Sequence, residues 1–387
     1  MPPRIKKQTT ATKRGRPARR VVAVDLFCGA GGKTRGFLQA GLEVVAGVDI
    51  DPTCRFPYVA NNAPAKFVQK SVSDLTCEEV ARWYPKGAIR VLIGCTPCQP
   101  FSRYSYRYGA ADKERRSLDK RWGLLHAFRS LVDGLLPDIV TVENVPQMAL
   151  MGHSVYAQFI ENLHRLEYHV SSSIVRCADY GVPQTRERLV LLASRLGPID
   201  LIAPTHPEGS HETVRGVIGH LPRISAGGPP PTDDALHRAC SLSPLNLRRI
   251  RATPEGGGWH DWPAELRLDC HSRETGKTYP SVYGRMRWDG LAPTLTTQCF
   301  GLGNGRFGHP EQERAISLRE AALLQTFPSD YRFVEKDGDF TFKHIGKHIG
   351  NAVPVRIGEV IALSIKEHLR QQAAGGRAAP KGRKRSC

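Results

Sequence analysis

The chain has 387 residues, with 55 Lys and Arg against 37 Asp and Glu and a formal net charge of +18. That length leaves room for one large α/β unit and a smaller companion, and an apolar fraction of 40% can bury a sizeable core. No apolar run approaches the ~20 residues of a membrane span, which excludes an integral membrane protein. The basic N-terminus runs into no apolar stretch of the kind a secretion signal carries. Ten cysteines are too sparse for a disulfide scaffold, so reduced thiols and a cytoplasmic setting are expected.

Fourteen of the eighteen net positive charges lie in two tails, residues 1–20 and 370–387, which hold no acid. Tails rich in Pro, Gly, Ala and Thr cannot bury enough surface to fold alone. They read as polycation arms for a polyanion such as nucleic acid, or more blandly as solubilising tails. Lys13-Arg14-Gly15-Arg16-Pro17 is similar to an AT-hook core, in which Arg14 and Arg16 would enter a narrow minor groove.

Between the tails, strand-like and helix-like segments alternate. Val21–Phe27, Glu43–Ile50, Arg90–Gly94 and Asp138–Val142 read as short buried strands. Gly32–Ala40, residues 117–135 and residues 154–166 read as helices, and Asp51-Pro52 as a helix start. Tyr168–Cys177 and Arg188–Ala193 read as further strands. This rhythm predicts a doubly wound, mainly parallel α/β sheet over residues 21–200. Residues 201–340 read as a smaller, loop-rich recognition domain and hinge, with Pro229-Pro230-Pro231 and Gly256-Gly257-Gly258 marking irregular chain. Ser317-Leu318-Arg319-Glu320 is a capping box opening a helix, and Val353 to about Leu369 reads as a last helix returning to the first domain within 341–370.

In Asp25-Leu26-Phe27-Cys28-Gly29-Ala30-Gly31-Gly32 a strand meets a glycine turn and then a helix, a place where a ligand can approach backbone N–H groups. A phosphate loop would need Gly where Phe27 stands, and a dinucleotide fingerprint would need Gly where Thr34 stands. An adenosine ligand without a pyrophosphate, such as S-adenosylmethionine, remains. Asp49, 24 residues after Asp25, suits the ribose hydroxyls, and Asp74 in Ser73-Asp74-Leu75 suits an adenine amino group.

Gly94-Cys95-Thr96-Pro97-Cys98-Gln99-Pro100-Phe101-Ser102 follows the strand at 90–94. Its Cys-x-x-Cys has no second ligand pair for zinc, so no metal site is expected. A redox pair would open a helix, whereas Pro100 and the polar residues after it suit a loop. One cysteine is therefore read as a nucleophile and the other as incidental. Glu143-Asn144-Val145 ends the strand at 138–142. Strand ends of a parallel sheet share one edge, so the glycine turn, Asp49, Cys98 and Glu143 should converge. Gln184, Arg186 and Arg188 alternate and would share one face of extended chain.

Together these segments resemble the cytosine-5 DNA methyltransferase family, collinearly from Asp25 to Val355. Arg319-Glu320-Ala321-Ala322 with Leu324-Gln325 and Gly350-Asn351-Ala352-Val353-Pro354 complete the ordered set, while Cys95-Thr96 replaces the usual Gly-Pro. The resemblance implies a Rossmann-like S-adenosylmethionine-dependent methyltransferase with Cys98 as nucleophile. Glu143 would hold ring nitrogen 3 and the exocyclic amine, and Arg186 and Arg188 would hold the carbonyl oxygen and orient Glu143. It further implies donor binding by Phe27, Gly29, Ala30, Gly32, Asp49, Ile50, Asp74, Leu75, Asn351 and Val353. Double-stranded DNA would be held by Ser102, Arg103, Arg107 and Gln184, with the Tyr-Arg-rich residues 101–121 as a closing loop. A tRNA substrate and a non-catalytic binding protein are the competing readings. Arg248, Arg249, Arg251, Trp259 and Trp262 are candidate recognition or packing residues. A monomer, a bacterial cytoplasmic setting in preference to a nuclear one, and a cognate restriction endonuclease are the remaining expectations.

Overall fold

A computed structural model of the chain describes residues 19–96, 122–150, 155–231, 233–273, 280–335 and 338–375. Arg14, Arg16, Cys98, Ser102, Arg103 and Arg107 lie outside the described residues, as do the whole closing-loop segment 101–121 and the basic tail beyond 375.

The core is a seven-stranded sheet in the order β3-β2-β1-β4-β5-β7-β6. Strands β1 (Val21–Leu26), β2 (Glu43–Asp49), β3 (Lys66–Gln69), β4 (Ile89–Gly94) and β5 (Ile139–Asn144) are parallel. Their apolar runs are continuous rather than alternating because both faces are covered. On one face Val22, Val24, Leu92 and Val140 pack under α3 (Cys77–Trp83), α4 (Trp122–Leu135) and α6 (Val155–Arg165), with the short α5 (Gln147–Leu150) before α6. On the other, Ala23, Val91 and Ile93 meet α1 (Gly32–Gln39), α2 (Arg55–Asn61) and the C-terminal helix.

The doubly wound sheet is the expected architecture, with one difference at its far edge. Strands β6 (His169–Arg176) and β7 (Glu187–Ser194) are antiparallel, and β7 inserts between β5 and β6. The ten residues joining them are too few for a helical crossover, so the chain must turn back on itself.

Between residues 200 and 340 the α-helices among the described residues are short, α7 (Val214–Ile218), α8 (Pro244–Arg251) and α9 (Leu318–Leu324), interspersed with 3-10 turns. The Ser317 capping box forms as read, with Ser317 Oγ accepting from Glu320 N at 3.0 Å and Glu320 Oε2 accepting from Ser317 N at 2.6 Å. A third apolar cluster joins this lobe to the glycine turn, since Ala30 packs with Phe307, Leu318, Phe327 and Tyr331. Two helices close the chain, α10 (Phe342–Asn351) and α11 (Val355–Gly375), separated by Pro354. Helix α11 lies against α1 at backbone contact: a Cβ on Gly36 would stand 2.3 Å from the Val355 carbonyl oxygen.

Candidate active site

The order of the parallel strands reverses between β1 and β4, and a crevice opens there at the carboxyl ends. It holds a cavity of about 440 Å³. Its first wall is the glycine turn. Phe27 has φ 63°, a strained conformation for a side chain with a Cβ, and Gly31 has φ 91°. A Cβ on Gly31 would lie 2.3 Å from Asn62 Nδ2, and one on Gly32 would lie 2.6 Å from the Val353 carbonyl oxygen. Nothing stands within 4 Å of a Cβ position on Gly29, so the turn presents bare backbone to open space.

Phe27, Gly29, Ala30, Gly32, Asp49 and Ile50 all line the cavity, and Asn351 and Val353 reach it from the far end of the chain. The Asp49 carboxylate accepts from Gly29 N and from Asp51 N, each at 2.9 Å, which fixes its position; burial raises its pKa and those two bonds oppose the rise. Ile50 is 68% exposed, an apolar platform beside that acid. Asp74 and Leu75 sit differently from the expectation. Leu75 is buried in the core, Asp74 is exposed at the end of a 3-10 turn, and neither lines the cavity; Lys70, Ser71 and Val72 of the same connection do.

Several cavity residues carry no sequence signal. Asp25 is buried, Oδ2 accepting from Thr34 Oγ1 at 2.7 Å while Oδ1 has no hydrogen-bond partner. Burial pushes its pKa up to about 6 against the pull of Lys33. Lys33 is itself buried and donates to the Gly94 carbonyl at 3.0 Å. Lys347 on α10 pairs with Asp51 at 2.7 Å, and His348 lies 3.7 Å from Cys54 Sγ. These pairings span about 300 residues of chain and arise only when α10 docks.

The second wall is the edge formed by β4, β5 and β7. Gly94 pairs with Val142, so Cys95 stands level with Glu143 and on the same face. Glu143 pairs with Val190, which makes Arg188 its diagonal neighbour on that face. The three side chains form a row: Cys95 Sγ donates to Glu143 Oε2 at 3.1 Å, and Arg188 Nε lies 2.8 Å from Glu143 Oε1. Glu143 is 2% exposed. Asn144 Nδ2 donates to the Thr96 carbonyl at 2.9 Å, tying β5 to the turn that leads to Cys98.

Arg186 lines the same cavity and donates to the carbonyls of Leu295 and Ala352, so it joins the sheet to the second lobe. Gln184 corrects the expectation of a DNA contact. It is fully buried, Nε2 donating to Leu324 O and Gln325 Oε1 and Oε1 accepting from Leu295 N. With its amide spent inside the protein, it is a strut between lobes. In the second lobe Trp259 and Trp262 are core residues, and Arg249 is buried between the Trp262 and Tyr283 rings; Arg248 and Arg251 are exposed, Arg251 pairing with Glu313. Among the described residues no cluster of three or more His, Cys, Asp or Glu is placed to hold a metal, and no helix is long and apolar enough to cross a membrane.

The sheet, the glycine turn and the acid at the end of β2 define a Rossmann-like methyltransferase fold. The C-5 cytosine-specific DNA methylase family matches residues 21–367, and the chain belongs to that family: it is a DNA cytosine-5 methyltransferase. It is 50% identical to the Type II methylase M.HgiDII of Herpetosiphon aurantiacus over 347 residues, covering 89% of this chain and 95% of the relative. It is 30% identical to the Type II methyltransferase M1.HphI of Haemophilus parahaemolyticus, covering 88% and 86%. The crystal structure of an E. coli prophage-encoded methyltransferase superposes with a TM-score of 0.67 at 23% identity, covering 90% of this chain and 99% of that one.

Proposed function

We propose that this enzyme moves a methyl group from S-adenosylmethionine to carbon 5 of a cytosine extruded from a specific site in double-stranded DNA, through a transient bond from Cys98. The observation that carries this reading is the buried Glu143, held at the sheet edge in one cavity with the glycine turn and Asp49. The residues present fit the donor. A bare glycine turn, an acid beside an exposed Ile50, and an orphaned carboxylate oxygen on Asp25 suit a cationic adenosine ligand. Above pH about 6 Asp25 is an anion facing that cavity. Phe27, Gly29, Ala30, Gly32, Asp49, Ile50, Asn351 and Val353 would hold it. When bound, S-adenosylmethionine supplies an electrophilic methyl on a sulfonium, whose own charge drives departure.

Cytosine is not nucleophilic enough at carbon 5. Addition of the Cys98 thiolate to carbon 6 makes carbon 5 enamine-like, and only a few per cent of a free thiol is ionised at pH 7, so the site must favour the anion. Charge then builds on ring nitrogen 3 and the carbonyl oxygen. Glu143 holds a proton toward nitrogen 3 and accepts from the exocyclic amine; Arg188 orients it, and Arg186 stands beside the oxygen. After transfer a base removes the carbon-5 proton and Cys98 departs. Extruding the base costs a few kcal/mol, offset by phosphate contacts for which Ser102, Arg103 and Arg107 are the candidates, with Arg14 and Arg16 adding minor-groove contacts. Residues 201–340 would read the site. The same reading makes the protein a monomeric, cytoplasmic partner of a restriction endonuclease.

Incubation with methyl-labelled donor tests it, with duplex DNA and tRNA offered separately. Label should enter DNA at one sequence context, and Cys98→Ser should abolish it while still binding donor. Label confined to tRNA, or a fully active Cys98→Ser enzyme, would overturn the proposal.

A further inference from the structure

The cavity holds a second sulfur. Cys95 is one of two residues that depart from the family pattern, and in sequence it looks incidental. Its backbone is fixed by the continuing ladder, Cys95 N donating to the Leu26 carbonyl at 3.3 Å. Parallel register with β5 sets it level with Glu143, and its thiol donates to Oε2 at 3.1 Å. Arg188 approaches the other oxygen from the opposite neighbouring strand.

A glutamate's terminal torsion is broad and roughly two-fold, so burial alone leaves the carboxyl plane free to swing. The Arg188 guanidinium at Oε1 is an ion-pair partner without a formed hydrogen bond, so it still permits rotation about that contact. A hydrogen bond on Oε2, from the opposite strand, fixes the plane. A protonated carboxyl keeps one O–H donor and its remaining acceptor capacity, so while both oxygens are held one can still give a proton to nitrogen 3 and the other accept from the amine. A preset plane matters because this group must meet two adjacent atoms of a flat ring at once, and an organised site has no reorganisation to undergo during reaction.

We infer that Cys95 is a positioning residue for the methyl-transfer reaction, its thiol fixing the Glu143 carboxyl plane as the counterpart of Arg188. A glycine at this place, as in the family pattern, has no side-chain donor, so this chain gains a clamp that the pattern lacks. The inference rests on the proposed role of Glu143.

The test compares Cys95→Ser, Cys95→Ala and Cys95→Val in the full chain. We expect Ala and Val to lower kcat on duplex DNA about tenfold, the net worth of one hydrogen bond. KM for DNA, donor binding by calorimetry and Tm should stay near wild type. Serine, which keeps a donor at the same place, should restore kcat to within about twofold. In a Glu143→Gln background the Cys95→Ala change should add little, because the clamped group is gone. Wild-type kcat in Cys95→Ala, equal losses in Ser and Ala, or full additivity with Glu143→Gln would each overturn the inference. Wild-type protein that transfers no methyl to cytosine would instead overturn the reading on which it rests.

Discussion

The two halves of the molecule hold their shape by different means. In the sheet half, strand register alone delivers Cys95, Glu143 and Arg188 to one row, and Asp49 to the glycine turn. In the second half there are almost no ladders among the described residues, and buried guanidinium groups take their place. Arg285 is 5% exposed and donates to the carbonyls of Ile250, Thr253, His309 and Gln312. Arg306 bridges the carbonyls of Gly256, Gly257 and Arg285, and Arg314 makes a two-pronged pair with Glu320. A loop-rich lobe must still satisfy its buried carbonyls, and a five-donor side chain satisfies several at once. The geometry of the sheet-edge row thus rests on backbone pairing, whereas the second lobe rests on side-chain hydrogen bonds.

Substitutions in each half sharpen this contrast. The largest effect is expected at the sheet edge, where Glu143→Gln should lower kcat by about 10²–10³-fold, in the range for a group that stabilises developing charge. Donor affinity and Tm should hold; wild-type turnover would remove Glu143 from the chemistry. In the other half Arg285→Met should leave four buried carbonyls without their donor and cost about 3 kcal/mol of stability. Denaturant unfolding measures it, and an unchanged midpoint would show that the lobe does not depend on this hub.

The smallest effect is a pH dependence to which both halves contribute. Burial lowers the pKa of His309 from 6.5 to about 4, with Arg314 and Arg285 adding to it and Glu320 opposing. Burial does the same to His348, with Lys347 and His344 adding and Asp51 opposing. The unfolded chain takes up protons at these sites below about 6.5 and the folded chain does not. Their stability contribution is therefore complete above that pH and lost as pH falls toward 4. Asp25 acts in the opposite sense. Its folded pKa of about 6 stands above 3.8, so stability is lost as pH rises between those values. Two histidines against one aspartate, with burial lowering His368 in the same sense and raising Asp49 in the opposite one, leave a net fall in stability on acidification from 6.5 to 4. Thermal unfolding across that range should show it, and His309→Asn should flatten it; a flat wild-type profile would contradict the assignment.

What the sequence discloses follows the same division. The acid at the end of β2, the glycine turn and the Ser317 box are legible because each is a local pattern with a local physical cause. The antiparallel β7 is less so, because alternation does not report direction; only the short connection from β6 does. Asp51–Lys347 and the Gln184–Gln325 strut join residues far apart, and nothing near any of them marks the partner. Cys95 beside Cys98 looks redundant in sequence, and becomes legible once β4 and β5 are in register.

The central claim is that Cys98 bonds transiently to an extruded cytosine. Incubation with donor and a duplex carrying 5-fluorocytosine at the target position should stall the reaction after methyl transfer, because the carbon-5 fluorine cannot leave as a proton does. Peptide mapping should then find the base attached to Cys98. No adduct, or one mapped to Cys95, would contradict the account.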